Sequence, residues 1–247
     1  MNPPSPAFCR KSGRSSRSRG RESPAGGIAD RPDGFGETRL APANFARYQR
    51  IAPFYDLLDL PFERPRYRRI RPLLFEGLSG RILDAGVGTG RNFPFYPAGA
   101  TVLGIDLSPA MLSRAERRRS TASAAVELRP MDVTSLDLPP ASFDAAVATF
   151  LFCVLPDALQ VPALRELGRV VKPGGSIRLL EYARPTRPLR RLIAKIWQPW
   201  VAWAYGASFD RRTELHVAEA GLELTEVRFV VDDLIKLISA RAPALAA

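Results

Sequence analysis

One segment of the 247-residue chain spaces its residues for chemistry: Asp84-Ala-Gly86-Val-Gly88-Thr-Gly90. Alternate glycines let a backbone turn tightly and approach a ligand closely. Twenty residues after Gly86, the run Val102-Leu-Gly-Ile ends in a second acid, Asp106. A carboxylate there can accept hydrogen bonds from both hydroxyls of a ribose. Turn chemistry alone accounts for an acid before glycines; Asp106 at this spacing argues for a nucleoside site.

Two kinds of nucleoside cofactor use such a loop. Dinucleotides take Gly-x-Gly-x-x-Gly, with the pyrophosphate on a helix N-terminus. Here the glycines alternate, and Arg91 stands where the last glycine of that pattern would fall. Asp84, two residues ahead of Gly86, would repel a pyrophosphate. It suits a cofactor that carries an ammonium and a sulfonium, which is S-adenosylmethionine. The rival readings of the loop are a nicotinamide-dependent oxidoreductase and a non-catalytic nucleotide-binding module.

The elements that must hold these residues follow from periodicity. Strands are predicted over residues 81–84, 100–106, 125–129, 143–149 and 176–182. Helices are predicted over 64–77, from Asn92 onward, over 109–119 behind Ser108 as N-cap, and over 157–170 closed by Lys172-Pro-Gly-Gly175. Residues 189–205 read as an amphipathic helical stretch interrupted by Pro199, and 210–220 as a helix stopped by Gly221. Residues 222–230 and 234–241 would pair as a hairpin across Asp232-Asp233. Phe45, Tyr48, Ile51, Phe54 and Tyr55 recur at helical spacing before all of these. The alternation predicts an α/β fold: a doubly wound, mostly parallel seven-stranded sheet with helices on both faces and a C-terminal antiparallel hairpin.

These blocks resemble the class I S-adenosylmethionine-dependent methyltransferases. The likeness rests on residues 84–90, Gly104-Ile-Asp106-Leu-Ser-Pro-Ala-Met111, Met131-Asp132-Val133, Ser142-Phe-Asp144 and Arg169-Val-Val-Lys-Pro-Gly-Gly175, and spans roughly 42–241. Arg50-Ile-Ala-Pro-Phe-Tyr-Asp56, Asn92-Phe-Pro-Phe-Tyr-Pro97 and Phe209-Asp-Arg-Arg-Thr213 look like the ubiquinone/menaquinone-biosynthesis and phospholipid N-methyltransferase branch. Small-thiol methyltransferases share the Asn-Phe-x-x-Tyr-Pro pattern.

The resemblance implies roles. Gly86, Gly88 and Gly90 would pass under the methionine portion and ribose, with Asn92 beside them. Asp84 would help hold the amino end, directly or through water, and Asp106 the ribose hydroxyls. Leu107 and Met111 would flank the adenine, Asp132 would accept from its amino group, and the Val133 N–H would face a ring nitrogen. Thr149 would line the path to the sulfonium. Tyr48 and Tyr55 would come from an N-terminal helix folded over the cofactor. Tyr55 and Tyr182 are the candidate bases where an acceptor must lose a proton. Asp132 also reads as an ordinary cap, and Tyr48 and Tyr55 as core packing. Cys153 reads as a buried, inert thiol and His216 as a solvated histidine.

Composition narrows the rest. Cys9, Cys153 and one histidine cannot build a disulfide framework or a CxxC zinc site, and no metal is expected. No apolar run reaches the roughly 18–20 residues of a spanning helix, so a cytoplasmic protein is expected. The net charge of +11 points to an acidic partner. Residues 1–40 carry +4 of it and read as a disordered Ser/Arg/Pro/Gly-rich tail, with a transit peptide or a nucleic-acid arm as alternatives. Residues 41–241 form the expected methyltransferase domain, and 242–247 a short tail. Nucleic-acid amino-methyltransferases often carry Asn/Asp-Pro-Pro-aromatic after the fourth strand; here Thr149-Phe-Leu-Phe152 speaks against a nucleic acid. Leu189, Leu192, Ile193, Ile196, Trp197 and Trp200 form a stripe flanked by Arg190, Arg191 and Lys195, which suits an anionic membrane face or a core-packed helix. The expected acceptor is a phospholipid amine or a quinol ring, with a soluble thiol or amine as the alternative.

Overall fold

In the computed structural model the described residues are 46, 48–52, 54–55 and 66–244. The predicted tail at 1–40, Cys9, Phe45, Pro53 and residues 245–247 lie outside them. Seven strands form one sheet: β1 (Arg81–Ala85), β2 (Thr101–Asp106), β3 (Ala125–Pro130), β4 (Phe143–Thr149), β5 (Val171–Tyr182), β6 (Glu223–Val231) and β7 (Ile235–Arg241). Their order is β3-β2-β1-β4-β5-β7-β6. The first five run parallel, and β7 pairs antiparallel with both β5 and β6. The predicted hairpin is therefore present, but its second strand is inserted between β5 and β6.

The central strands are apolar because both their faces are covered. Leu83, Ala85, Ile105, Ala146 and Ala148 meet Leu164 and Leu167 of helix α2 (Asp157–Val170) on one face. Ile82, Val102, Ala145 and Val147 meet Leu112 and Ala115 of helix α1 (Pro109–Arg118), together with Phe93 and Tyr96, on the other. Alternation along β1 thus turns Asp84 toward the second face, under Tyr96. Ser108 caps α1 as expected, its hydroxyl accepting from the Met111 N–H at 3.3 Å.

Five expectations are corrected. No helix follows the glycine loop: Phe93–Phe95 make a single 3₁₀ turn, and Tyr96 is already extended at ψ 137°. Pro94 opens that turn, and Pro97 forces the extended conformation on Tyr96 before it. The described part of 64–77 is a helical turn, Arg68–Ile70, running into a 3₁₀ turn, Arg71–Leu74, at Pro72. Lys172-Pro-Gly-Gly175 belongs to β5, which starts directly where α2 ends, and a register shift against β4 absorbs the irregularity. Helix α3 (Pro188–Tyr205) is continuous through Pro199 and closes on Gly206 at φ 67°. Helix α4 is shorter than the sequence suggests, at Thr213–Glu219.

Candidate active site

The glycine loop is stitched to β2 from both sides. Val87 N–H donates to the Ile105 carbonyl at 2.9 Å. Gly88 N–H donates to Asp106 Oδ2 at 3.0 Å, while Asp106 Oδ1 accepts from the Ser108 N–H at 2.8 Å. Gly88 sits at φ 56°, and a Cβ there would meet nothing closer than the Gly86 carbonyl at 4.0 Å. The backbone at Gly88 is therefore left-handed and faces open space, as a ligand cradle requires.

Asp84 is fully buried at the end of β1. Its Oδ2 accepts from Asn92 Nδ2 at 2.9 Å and from the Tyr96 hydroxyl at 2.6 Å. Asn92 Nδ2 also reaches Thr149 Oγ1 at 3.1 Å, and its Oδ1 accepts from Arg71 at 2.8 Å. Asp84 Oδ1, equally buried, has no hydrogen-bond partner among the described residues. Burial pushes both carboxylates up, Asp84 and Asp106 each to about 6.

Two adjoining cavities open on this loop. The smaller, about 110 Å³, is lined by Gly86, Gly88, Asp106, Leu107, Met111, Val133 and Thr149, all expected from the sequence. Ile105, Met131, Leu151 and Leu155 also line it and carried no signal beyond apolarity. Asp132 is not among the lining residues; its Oδ1 accepts from the Thr134 N–H and hydroxyl at 2.9 and 2.8 Å. Asp84 and Gly90 also stand behind the wall. Tyr48 and Tyr55, two helical turns apart, line both cavities. Gln49, between them in sequence, was not anticipated: its Oε1 accepts from Ser108 Oγ at 3.3 Å and the Ala110 N–H at 3.2 Å, tying that helix to α1.

The larger cavity measures about 530 Å³. An aromatic cluster forms one side. Tyr182 stacks on Phe150 at 4.8 Å between centroids, Tyr67 lies 4.9 Å from Phe150, and Phe209 meets Tyr182 edge-on at 5.1 Å. The Tyr67 and Tyr182 hydroxyls hydrogen-bond each other. Arg66, Arg71, Arg91 and Arg190 also face the cavity, and Ile193, Trp197, Trp200 and Val201 of α3 roof it. Cys153 is buried, as expected, its thiol pushed well up by burial and by Glu181. His216 lines neither cavity and pairs at the surface with Glu219 at 3.4 Å.

A buried carboxylate oxygen without a donor calls for a cationic group, the Asp106 carboxylate on the wall of the smaller cavity can accept from hydroxyls, and the backbone at Gly88 faces open space. The residues fit S-adenosylmethionine: Asp84 and Asp106 would hold its ammonium and ribose. Fold and site together define an α/β protein of the nucleoside-cofactor class, with a second cavity beside the cofactor.

Comparison with known proteins agrees. Residues 82–175 match the methyltransferase domain family. A phosphatidylethanolamine N-methyltransferase of Cereibacter sphaeroides is 38% identical over 185 residues, 72% of this chain and 87% of its own length. A ubiquinone/menaquinone biosynthesis C-methyltransferase of Syntrophotalea carbinolica is 40% identical over 152 residues, 58% of this chain and 62% of its own length. The solved structure of an S-adenosylmethionine-dependent methyltransferase from Thermotoga maritima shares the fold, with a TM-score of 0.60 at 21% identity over 80% of this chain and 99% of that one. The chain belongs to the class I S-adenosylmethionine-dependent methyltransferases, and its cofactor is S-adenosylmethionine.

Proposed function

We propose that the chain methylates the amine of a phospholipid headgroup at an anionic membrane surface on the cytoplasmic side. One observation carries the reading: the 530 Å³ cavity joins arginines, aromatic faces and an apolar roof beside the cofactor loop. Arginine recognises a phosphodiester, and an aromatic wall favours an ammonium and its methylated product. The phosphatidylethanolamine enzyme from Cereibacter, similar over most of its length, supports the same choice. When bound, the cofactor supplies an electrophilic methyl group on a positively charged sulfur. The chain's own part is alignment: Tyr48, Tyr55, Thr149 and Phe150 border both cavities, where acceptor and donor must meet at near-attack distance. A headgroup ammonium must shed a proton before it attacks. Tyr55 and Tyr182, which line the cavity, are the proposed bases, each acting as the phenolate or by passing its own proton on as it receives one. Incubation with methyl-labelled cofactor and vesicles of phosphatidylethanolamine, with quinol, thiol, soluble amine and RNA in parallel, should place label in the phospholipid. Label confined to the quinol or to a soluble acceptor would refute the headgroup assignment.

Membrane contact is proposed through α3. Among the described residues no helix is long and apolar enough to cross a membrane. Yet Leu189, Leu192, Ile196 and Trp203 are 56–77% exposed on α3, with Arg187, Arg191 and Lys195 in the same helical region. Exposed tryptophan and leucine beside basic residues suit the interface of an anionic bilayer. Sedimentation with phosphatidylglycerol vesicles should show binding that weakens with salt. The pair Ile196→Asp and Trp203→Asp should lower it by roughly tenfold or more, since each removed apolar contact is worth about 1.5–3 kcal/mol. Equal binding by wild type and double variant would sink the α3 assignment.

A further inference from the structure

The Asp84 carboxylate is held by one of its two oxygens only. Asn92 Nδ2 and the Tyr96 hydroxyl both converge on Oδ2, at 2.9 and 2.6 Å, and Oδ1 stays buried without a partner among the described residues. The Asn92 amide cannot turn over, because its Oδ1 already accepts from Arg71 at 2.8 Å. Tyr96 is fixed in turn between Phe93, at 5.4 Å, and Phe75, at 5.3 Å. Burial and the neighbouring Asp84 push its phenol well above the usual range, so it stays a donor. Both donors come from the Asn-Phe-x-x-Tyr-Pro segment, whose 3₁₀ turn brings positions 92 and 96 to the same oxygen.

We infer that Asn92 and Tyr96 are positioning residues for the cofactor: they occupy Asp84 Oδ2 and thereby reserve Oδ1 for the cofactor's ammonium, reached directly or through a water from behind the cavity wall. The inference rests on the reading of Asp84 as the ammonium partner. Two effects follow from the geometry. The donors fix the carboxylate plane, so Oδ1 needs no reorganisation when the ligand arrives. They also favour the charged form against burial, as Arg71 does more weakly. The groups facing Asp84 are Tyr96, Asn92, Arg71 and, across the loop, Asp106. Its strand neighbours Gly104 and Val147 do not titrate.

The sign of the pH effect is fixed. An ammonium binds the carboxylate, so affinity falls as pH drops through the Asp84 value near 6. Removing the Tyr96 donor raises that value and moves the fall toward neutral pH. Tyr96→Phe should therefore weaken S-adenosylhomocysteine by on the order of tenfold at neutral pH, and less at higher pH. Calorimetric titration from about pH 5 to about pH 9 reads this directly. 5′-Methylthioadenosine, which keeps the ribose and lacks the amino-acid end, reports the titration of Asp106 and should bind wild type and variant alike. Asn92→Ala repeats the test from the other donor where Tyr96→Phe unfolds. An unmoved pH midpoint for S-adenosylhomocysteine, or equal losses for both ligands, would overturn the positioning role. Asp84→Asn separates the layers: undiminished affinity there removes the ammonium assignment itself, whereas its loss with an unchanged Tyr96→Phe removes only the positioning role.

Discussion

Asp106→Ala is expected to weaken cofactor binding by about 100-fold or more. The carboxylate does two things at once in the folded chain. It is the proposed acceptor for the ribose hydroxyls, and it holds the loop by accepting from the Gly88 and Ser108 N–H groups. Hydrogen bonds to a charged acceptor are worth about 1.5–3 kcal/mol each, so losing the ribose pair alone reaches that factor. Stability should move differently. Asp106 is raised to about 6 in the folded chain, chiefly by burial, so its contribution to stability is full below its unfolded value and is lost as pH rises through the folded one. At neutral pH the ligand-free chain therefore carries a carboxylate that burial disfavours, which offsets part of what Asp106→Asn loses when its amide nitrogen faces the Gly88 or Ser108 N–H, so that variant should lose far more cofactor affinity than its change in melting accounts for. Fluorescence-detected melting with and without S-adenosylhomocysteine gives both numbers. A variant that loses stability and affinity in proportion would contradict the assigned role.

Gly90→Ala is expected to cost about 2–5 kcal/mol of stability and to disturb the site as well. Gly90 sits at φ 80°, where a side chain costs about 1–2 kcal/mol. Its added Cβ would also lie 2.7 Å from the Phe93 ring, which is fully buried and cannot swing aside. Such overpacking costs about 1–3 kcal/mol more. Phe93 leans on Tyr96, which holds Asp84, so the displacement travels to the carboxylate. Gly99→Ala is the internal comparison: it has the same kind of φ, 78°, with nothing within 4 Å of the new Cβ. Denaturant unfolding should show a clearly larger loss at position 90 than at 99. Equal losses would mean that backbone strain alone is at work.

The cofactor half of the site was legible because its signals are local. Gly86, Gly88 and Asp106 lie in or beside a strand–loop pair, and their spacing carries the geometry. Tyr48 and Tyr55 were legible through helical spacing. The second cavity was not. Tyr67, Phe150, Tyr182 and Phe209 come from four separate segments, and no periodicity relates them. The insertion of β7 was hidden for a similar reason, since alternation fixes which face a strand buries and not which neighbour it takes. The helix expected from Asn92 failed because Pro94 and Pro97 outweighed the habit of a helix after a glycine loop. The break expected at Pro199 failed in the other direction, since one missing N–H did not stop α3.

The late position of β7 has a consequence for the order in which the chain acquires its parts during synthesis. Every residue lining the smaller cavity lies between Tyr48 and Leu155, whereas Asp233, at the tip of the β6–β7 turn, anchors the start of α3 by accepting from Thr186, Arg187 and Arg190. The β7-facing edge of β5 gains its first partner at Ile235, opposite Tyr182, and is covered in full only when Arg241 has been made, because Ser176 pairs with it. A ribosome-bound chain can thus assemble β3-β2-β1-β4 and the nucleoside cradle early. It must carry an open β5 edge and an unclasped α3 meanwhile, which is the interval in which strand mispairing is most exposed. Ligand available during translation would stabilise the first half before the second exists, so cofactor supply would act on folding yield as well as on turnover.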